Sequence, residues 1–241
     1  MNEAPTKTTM KGEVLRSAIL DAAAKLFIER GTGGTSMQDI AESLGLSRTA
    51  VYYYFKNKNA ILRALTEEVL IPAKQLANDA VARKDQDPTE ALQSLVTQYA
   101  ELILSRPAEF RVADRNESDL TQRQLASMQS ARRSVLADFS DVIERGIELG
   151  HFRMVDAHVA AFSLIGMCNW TAWWFKPSGR LSRQEVAQAI ADMAIHALRR
   201  DESRRPRLPD VKESLRLLRE DLAYLEKLVL PEDDTSSGQR K

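Results

Sequence analysis

The chain has 241 residues, of which 44% are hydrophobic and 28% charged, and its 34 basic side chains balance its 34 acidic ones. That is ordinary globular composition, with length enough for one large domain or two smaller ones and a substantial core. One cysteine, Cys168, excludes an internal disulfide and fits a reducing cytoplasm, and the longest uncharged stretch, residues 159–175, is short for a membrane span. The first residues, MNEAPTKTTMKGE, lack an apolar run, so no secretory signal is expected. Zero net charge names no partner, but the charge is unevenly placed. Residues 1–63 hold nine Lys/Arg against six Asp/Glu, and between Ser43 and Arg63 there are four bases and no acid. Such a segment suggests a local anionic contact or, more blandly, a solvated loop.

No segment sustains a strand-like alternation, whereas helical periodicity recurs nearly throughout, so the fold class is all-α. Residues 1–12 read as a flexible arm. Ile19, Ala23, Leu26 and Phe27 mark the buried face of a first helix that Gly31, Gly33 and Gly34 end. Thr35 or Ser36 caps a short second helix, with Gln38 or Asp39 placed to complete a capping box. Its apolar side is Met37, Ile40, Ala41 and Leu44. Gly45 stops it, and Ser47 is a cap for a third helix. Residues 13–60 thus form a three-helix head. A fourth helix starts near Lys58 and runs toward Ile71-Pro72.

Longer helices follow over residues 61–200: 89–104, 108–149 with a break near Asn116–Thr121, 155–175 and 182–199. Residues 201–210 form a charged, double-proline linker. Beyond it Val211, Leu215, Leu218, Leu222, Leu225 and Val229 repeat at heptad spacing, which predicts an extra C-terminal helix over 211–230. That helix either lies on its own subunit or meets a partner. Residues 231–241 read as a disordered tail.

A short helix, a glycine turn and a second short helix over residues 36–55 make a helix-turn-helix, whose second helix is presented to the major groove of DNA. Stepping about 100° per residue from Thr49 puts Tyr53 at about 40°, Tyr52 at about 300° and Arg48 at about 260°. Ala50, Tyr54 and Val51 fall on the opposite side, at about 100° to 200°. Thr49, Tyr52 and Tyr53, with Arg48 at the edge, can therefore offer hydroxyl and guanidinium donors to phosphates and base edges. Lys58 opens the next helix, where a lysine and free backbone N–H groups could hold a phosphate.

These residues resemble a known family. The segments A-x-x-L-F-x-x-x-G (Ala23 to Gly31), T-S-x-x-D-I-A (Thr35 to Ala41) and G-L-S-x-x-x-V-Y-Y-Y-F-K-x-K (Gly45 to Lys58) look like the DNA-binding domain of the tetracycline-repressor (TetR) family. The resemblance implies an all-α homodimer, two helix-turn-helix heads, a larger C-terminal domain that binds a small effector and dimerises, and repression at a pseudo-palindromic operator. It places the DNA contacts on Thr35, Ser36, Arg48, Thr49, Tyr52, Tyr53 and Lys58. Residues 143–199 resemble the branch of the family that responds to acyl-CoA thioesters of fatty-acid, steroid and related degradation. Helices 155–175 and 182–199 would then form the dimer interface, with Ala160, Ala161, Gly166, Ala187, Ala191 and Ala194 allowing close approach.

An acyl pocket needs apolar walls, for which Phe110, Leu125, Met128, Phe139 and Met167 are candidates by position. Trp170 and Trp173, on one stripe with Trp174, either pack in the core or dimer seam or line the pocket. Arg111, Arg115, Arg123, Arg132 and Arg133 offer bases for the phosphates of a coenzyme A head. No metal-ligand spacing, phosphate-cradling loop or catalytic constellation stands out, so neither a cofactor nor an enzymatic activity is expected. Two other readings keep the DNA binding. In one the effector is a free hydrophobic acid, an aromatic compound or a drug. In the other a nucleoid- or division-associated protein uses the C-terminal helix to recruit a partner and senses nothing.

Overall fold

The computed structural model describes residues 7–80, 86–200, 215–219, 221 and 222, with side chains described from Gly12 and, in the fourth helix, as far as Leu76. Two units are distinguished, residues 1–199 and 200–241. In the first, the helices are α1 (Lys7–Arg30), α2 (Met37–Ser43), α3 (Arg48–Tyr54), α4 (Lys58–Ala80), α5 (Pro88–Ser105), α6 (Pro107–Arg115), α7 (Gln122–Glu148), α8 (Ala157–Trp174) and α9 (Arg183–Leu198). One 3-10 turn, Glu117–Asp119, separates α6 from α7 at the expected break. No described helix is long and apolar enough to cross a membrane.

Local chemistry sets the head's short helices. Ser36 caps α2: its hydroxyl accepts from the Asp39 N–H while the Asp39 carboxylate accepts from the Ser36 N–H. Of the alternatives in the sequence, the box is therefore Ser36 with Asp39. Gly45 ends the helix at φ +65°, a conformation that costs other residues strain. Ser47 caps α3, and the Asn57 side chain accepts from the Ala60 N–H at the start of α4. Ile19 and Phe27 of α1, Ile40 of α2, Val51 of α3 and Leu65 of α4 then close one core.

A second core fills the body. The α5 face built on Leu92, Leu95, Val96 and Ile103 packs among α4, α7, α8 and α9. Ala187, Ala191 and Ala194 are fully buried and bring α9 against α5. These small residues, with buried Ala161, pack within the subunit rather than on an outer seam. Only Ala160 and Gly166 of the expected set retain exposure.

Two boundaries differ from expectation. The first helix begins at Lys7, so residues 7–12 of the expected arm are helical. The fourth helix passes through Pro72 instead of stopping there. An interior proline loses one helix hydrogen bond and costs about 3 kcal/mol. Val69, Ala73 and Leu76, one turn apart on the same face, pack against the body core and carry the helix through. In the second unit, residues 215–219, 221 and 222 are helical, and Leu215, Leu218 and Leu222 of the heptad are exposed. The rest of that helix, residues 1–6, the linker and the tail lie outside the described residues.

Gly146 fixes how α7 ends. The Phe152 ring lies against this glycine, and a Cβ at residue 146 would come within 2.1 Å of it. The Arg153 N–H donates to the Leu198 carbonyl at 2.9 Å and holds the same segment to the end of α9. Gly146→Ala should gain about 1 kcal/mol in helix propensity, but the buried ring has nowhere to move. A net destabilisation of about 1–3 kcal/mol is expected, read as a lower urea midpoint with an unchanged slope.

Candidate functional site

Helix α3 faces as its periodicity predicts. Val51 is fully buried and Tyr54 half-buried against the head core, while Thr49 and Arg48 are exposed. Tyr52 is 39% exposed and Tyr53 83% exposed. The guanidinium of Arg48 lies over the Tyr52 ring, 5.2 Å from its centroid, and donates to the Tyr52 hydroxyl oxygen at 3.1 Å. That bond uses an oxygen lone pair, so the Tyr52 O–H remains a donor. The edge of Tyr53 meets Tyr54 at 5.1 Å, which braces the exposed ring from the inside.

Ser36, Arg48, Tyr52 and Lys58 line one surface hollow beside the N-terminus of α2. Two of the expected contacts also bond within the protein there. Thr35 borders the hollow but is only 2% exposed, and its hydroxyl donates inward to the Gly31 carbonyl at 2.9 Å. Its side chain therefore secures the α1–α2 turn instead of facing outward. The Lys58 ammonium donates to the Thr32 carbonyl at 2.6 Å, so it is half-buried and holds the same turn. Two of its three donors remain for another acceptor. Asp39, within the hollow, ionises more readily than an ordinary aspartate because the Ser36 hydroxyl and N–H both donate to it.

A polar relay leads from this turn into the body. The Thr32 hydroxyl donates to the carboxylate of Asp119, in the 3-10 turn. Just before and within that turn, Asp114 (3.4 Å) and Glu117 both pair with Arg132 of α7. Arg132 in turn stands at a cavity.

The cavity, of about 520 Å³, is enclosed by α4, α5, α6, α7 and α8. Its walls are mostly apolar: Val69, Phe110, Met128, Val135, Phe162 and Ile165. Exposed Arg133 and ion-paired Arg132 stand at its rim. Of the nine expected effector residues, Phe110, Met128 and Arg132 line it. Phe139 is fully buried, edge-on behind Tyr99 at 5.7 Å, and Met167 packs into the filled core. Arg111 donates back to the Pro107 carbonyl at 3.3 Å, and half-buried Leu125 is not part of the lining. Trp170 is 63% exposed and stacks on Trp173, which also meets Phe110 in a perpendicular arrangement at 5.7 Å. Neither indole lines the cavity; Trp173 stands one ring behind its wall.

Of the α4 wall, Val69 and Leu70 fall within the expected fourth helix but were not singled out, and Ala73 lies beyond its expected end at Ile71-Pro72. Tyr99 and Asn169 also line the cavity. Their signal was available: each is a polar residue on an otherwise apolar helix face. The Cys168 thiol is buried and its pKa is pushed up to about 12, which leaves it unreactive at neutral pH. Among the described residues no group of His, Cys, Asp and Glu could hold a metal ion.

Two family models match. "Bacterial regulatory proteins, tetR family" covers residues 19–65, and "Tetracyclin repressor-like, C-terminal domain" covers residues 85–198. The TetR family transcriptional regulator PfmR from Thermus thermophilus is 32% identical, with a TM-score of 0.65 over 76% of this chain and 99% of that one. AibR, solved in complex with isovaleryl coenzyme A and operator DNA, is 27% identical, with a TM-score of 0.58 over 74% of this chain and 96% of that one. The transcriptional repressor KstR2 of Mycolicibacterium smegmatis is 26% identical over 181 residues, 72% of this chain and 85% of the relative.

Removing the α2 cap tests the local account of the head. Ser36→Ala is expected to destabilise it by about 1 kcal/mol and to raise the Asp39 pKa toward the ordinary value, read by carboxyl NMR titration. The sign follows from the depressed folded-state pKa: in the parent protein the cap is complete above the ordinary carboxylate range and is lost as pH falls through the lower folded value.

Proposed function

The chain belongs to the tetR family of bacterial regulatory proteins, whose members are DNA-binding transcriptional regulators rather than enzymes, and from that premise we propose how it works. A homodimer occupies a pseudo-palindromic operator in the cytoplasm and represses. It leaves when an amphipathic anion, an acyl thioester of coenzyme A, enters the body cavity. The DNA contacts are Ser36, Arg48, Thr49, Tyr52 and Tyr53, with Lys58 contributing its remaining donors.

The observation that carries the effector reading is Arg133. It stands exposed at the rim of a largely apolar cavity and has no ion-pair partner among the described residues. An apolar chain gains by burial within the walls, and its anionic end gains at the guanidinium. At about 520 Å³ the cavity suits an acyl group and leaves a nucleotide outside. The AibR complex, in a relative of 27% identity, supports a thioester of this kind. The presence of a cavity also favours a sensor over a protein that only recruits partners. The dimer interface falls on α8 and α9, where Val159, Phe162, Trp170 and Met193 are exposed and apolar.

Both recognition helices must enter the major groove about one DNA turn apart, ~34–36 Å. A ligand lowers operator affinity to the extent that it prefers a wider or more mobile dimer. Helix α6 joins the two events, since Val112 belongs to the head core and Phe110 to the cavity wall. A ligand anion at the rim also competes with Asp114 and Glu117 for Arg132, which frees the turn that carries Asp119.

Operator release, measured with matched free acids and their coenzyme A thioesters, tests the effector class. Release by the thioesters is expected; release by free acids alone overturns that class and leaves the acid, aromatic or drug reading. Tyr53→Ala should weaken operator binding about tenfold or more, with melting temperature and dimerisation unchanged. If it instead lowers melting while leaving DNA affinity intact, the facing of α3 is wrong. Asp119→Ala should preserve effector affinity while reducing release, measured by titration of the protein–operator complex. Unchanged release would eliminate the Thr32–Asp119 relay.

A further inference from the structure

Away from its charged rim the cavity has two polar spots: Thr66 of α4, whose hydroxyl donates to the Leu62 carbonyl at 2.8 Å, and a pair formed by Tyr99 and Asn169. Tyr99 of α5 is almost wholly buried, and its hydroxyl donates to Asn169 Oδ1 of α8 at 2.9 Å. Both residues line the cavity. A phenylalanine at this position would fill the same wall, and a hydroxyl placed in apolar surroundings carries a desolvation cost. The bond to Asn169 offsets that cost and locks the amide. It also uses only part of the hydrogen-bonding capacity of the pair. The side-chain N–H donors of Asn169 have no acceptor among the described residues, and the tyrosine oxygen keeps its lone pairs. Burial holds the Tyr99 hydroxyl protonated far above the ordinary range, so it stays a donor to Asn169.

Burial orders the lining. Exposed Arg133 marks the rim, and buried Tyr99 the interior. A ligand anchored by its anion at the rim therefore sends its apolar end toward the Tyr99–Asn169 pair. We propose that this pair selects an effector whose buried end bears an oxygen, a ketone or a hydroxyl, against the plain hydrocarbon of the same length. A ketone accepts from the free Asn169 N–H, and a hydroxyl can also donate to the Tyr99 oxygen. A plain alkyl end leaves the amide facing hydrocarbon with its donors unused, which is where the discrimination arises. The inference rests on the reading of this cavity as the effector site.

The test is titration calorimetry of the full-length protein with decanoyl-coenzyme A and its 5-, 7- and 9-oxo derivatives, and with the four corresponding free acids. At least one oxo compound should bind about tenfold tighter than the plain one in whichever series binds. Asn169→Leu should abolish that preference and Tyr99→Phe should reduce it, each read as the ratio of oxo to plain affinity within the same variant. Equal affinity of the parent protein for plain and all oxo compounds overturns the inference while leaving the effector site standing. Failure of all eight compounds to bind overturns the reading of the cavity as a site for acyl effectors, and this inference with it.

Discussion

One nine-residue helix, α6, is shared by two cores. Val112 is fully buried among the side chains of α1 and α4 in the head, while Phe110, half a turn away, borders the body cavity and meets Trp173. Close-packed interiors do not deform smoothly; they move between discrete arrangements. A displacement of α6 by something in the cavity must therefore either disturb the head core or carry the head with it. Helix α4 adds a second tie, contributing Leu65 to the head core and Val69, Ala73 and Leu76 to the body. The orientation of the head is thus a property of the whole first unit, and a long flexible hinge between head and body would defeat it.

The polar relay beside α6 has a different strength and a different use. Arg132 and its partners Asp114 and Glu117 are all substantially exposed. Pairs of this kind contribute about 0–1 kcal/mol each, far less than a buried aromatic in the adjoining cores. They do little to determine the fold. They are, for the same reason, readily exchanged for a ligand anion, so a modest difference in binding free energy can redistribute them. The apolar contacts set which arrangements exist, and the exposed charges bias the choice between them.

The sequence was most informative where a structural choice is made within a few residues. Ser36 with Asp39, Gly45 and Ser47 mark the short helices, and the 100° step along α3 separates buried Val51 from exposed Tyr53. It was less informative where the partner is a distant backbone atom. Thr35 and Lys58 have the chemistry of phosphate ligands, yet both donate to carbonyls of the α1–α2 turn, and nothing in a linear pattern reveals that. Periodicity also says which side chains point inward without saying whether the interior is full. Phe139 and Phe110 were equally good candidates, but the first is sealed behind Tyr99 and the second borders open space. Pro72 misled for a related reason, because the packing that carries α4 past it comes from residues that become neighbours only in the fold.

All three tryptophans of the chain, Trp170, Trp173 and Trp174, lie within five residues of one helix. Trp173 meets both the stacked Trp170 and, at right angles, Phe110, a ring that belongs to the cavity wall. The tryptophan fluorescence of the whole molecule therefore originates at a single place, where the wall of the cavity approaches the apolar outer face of α8. The protein contains an unlabelled optical gauge of both: a shift of Phe110 would perturb the indole behind it, and anything that covers α8 would dry the one stacked upon it.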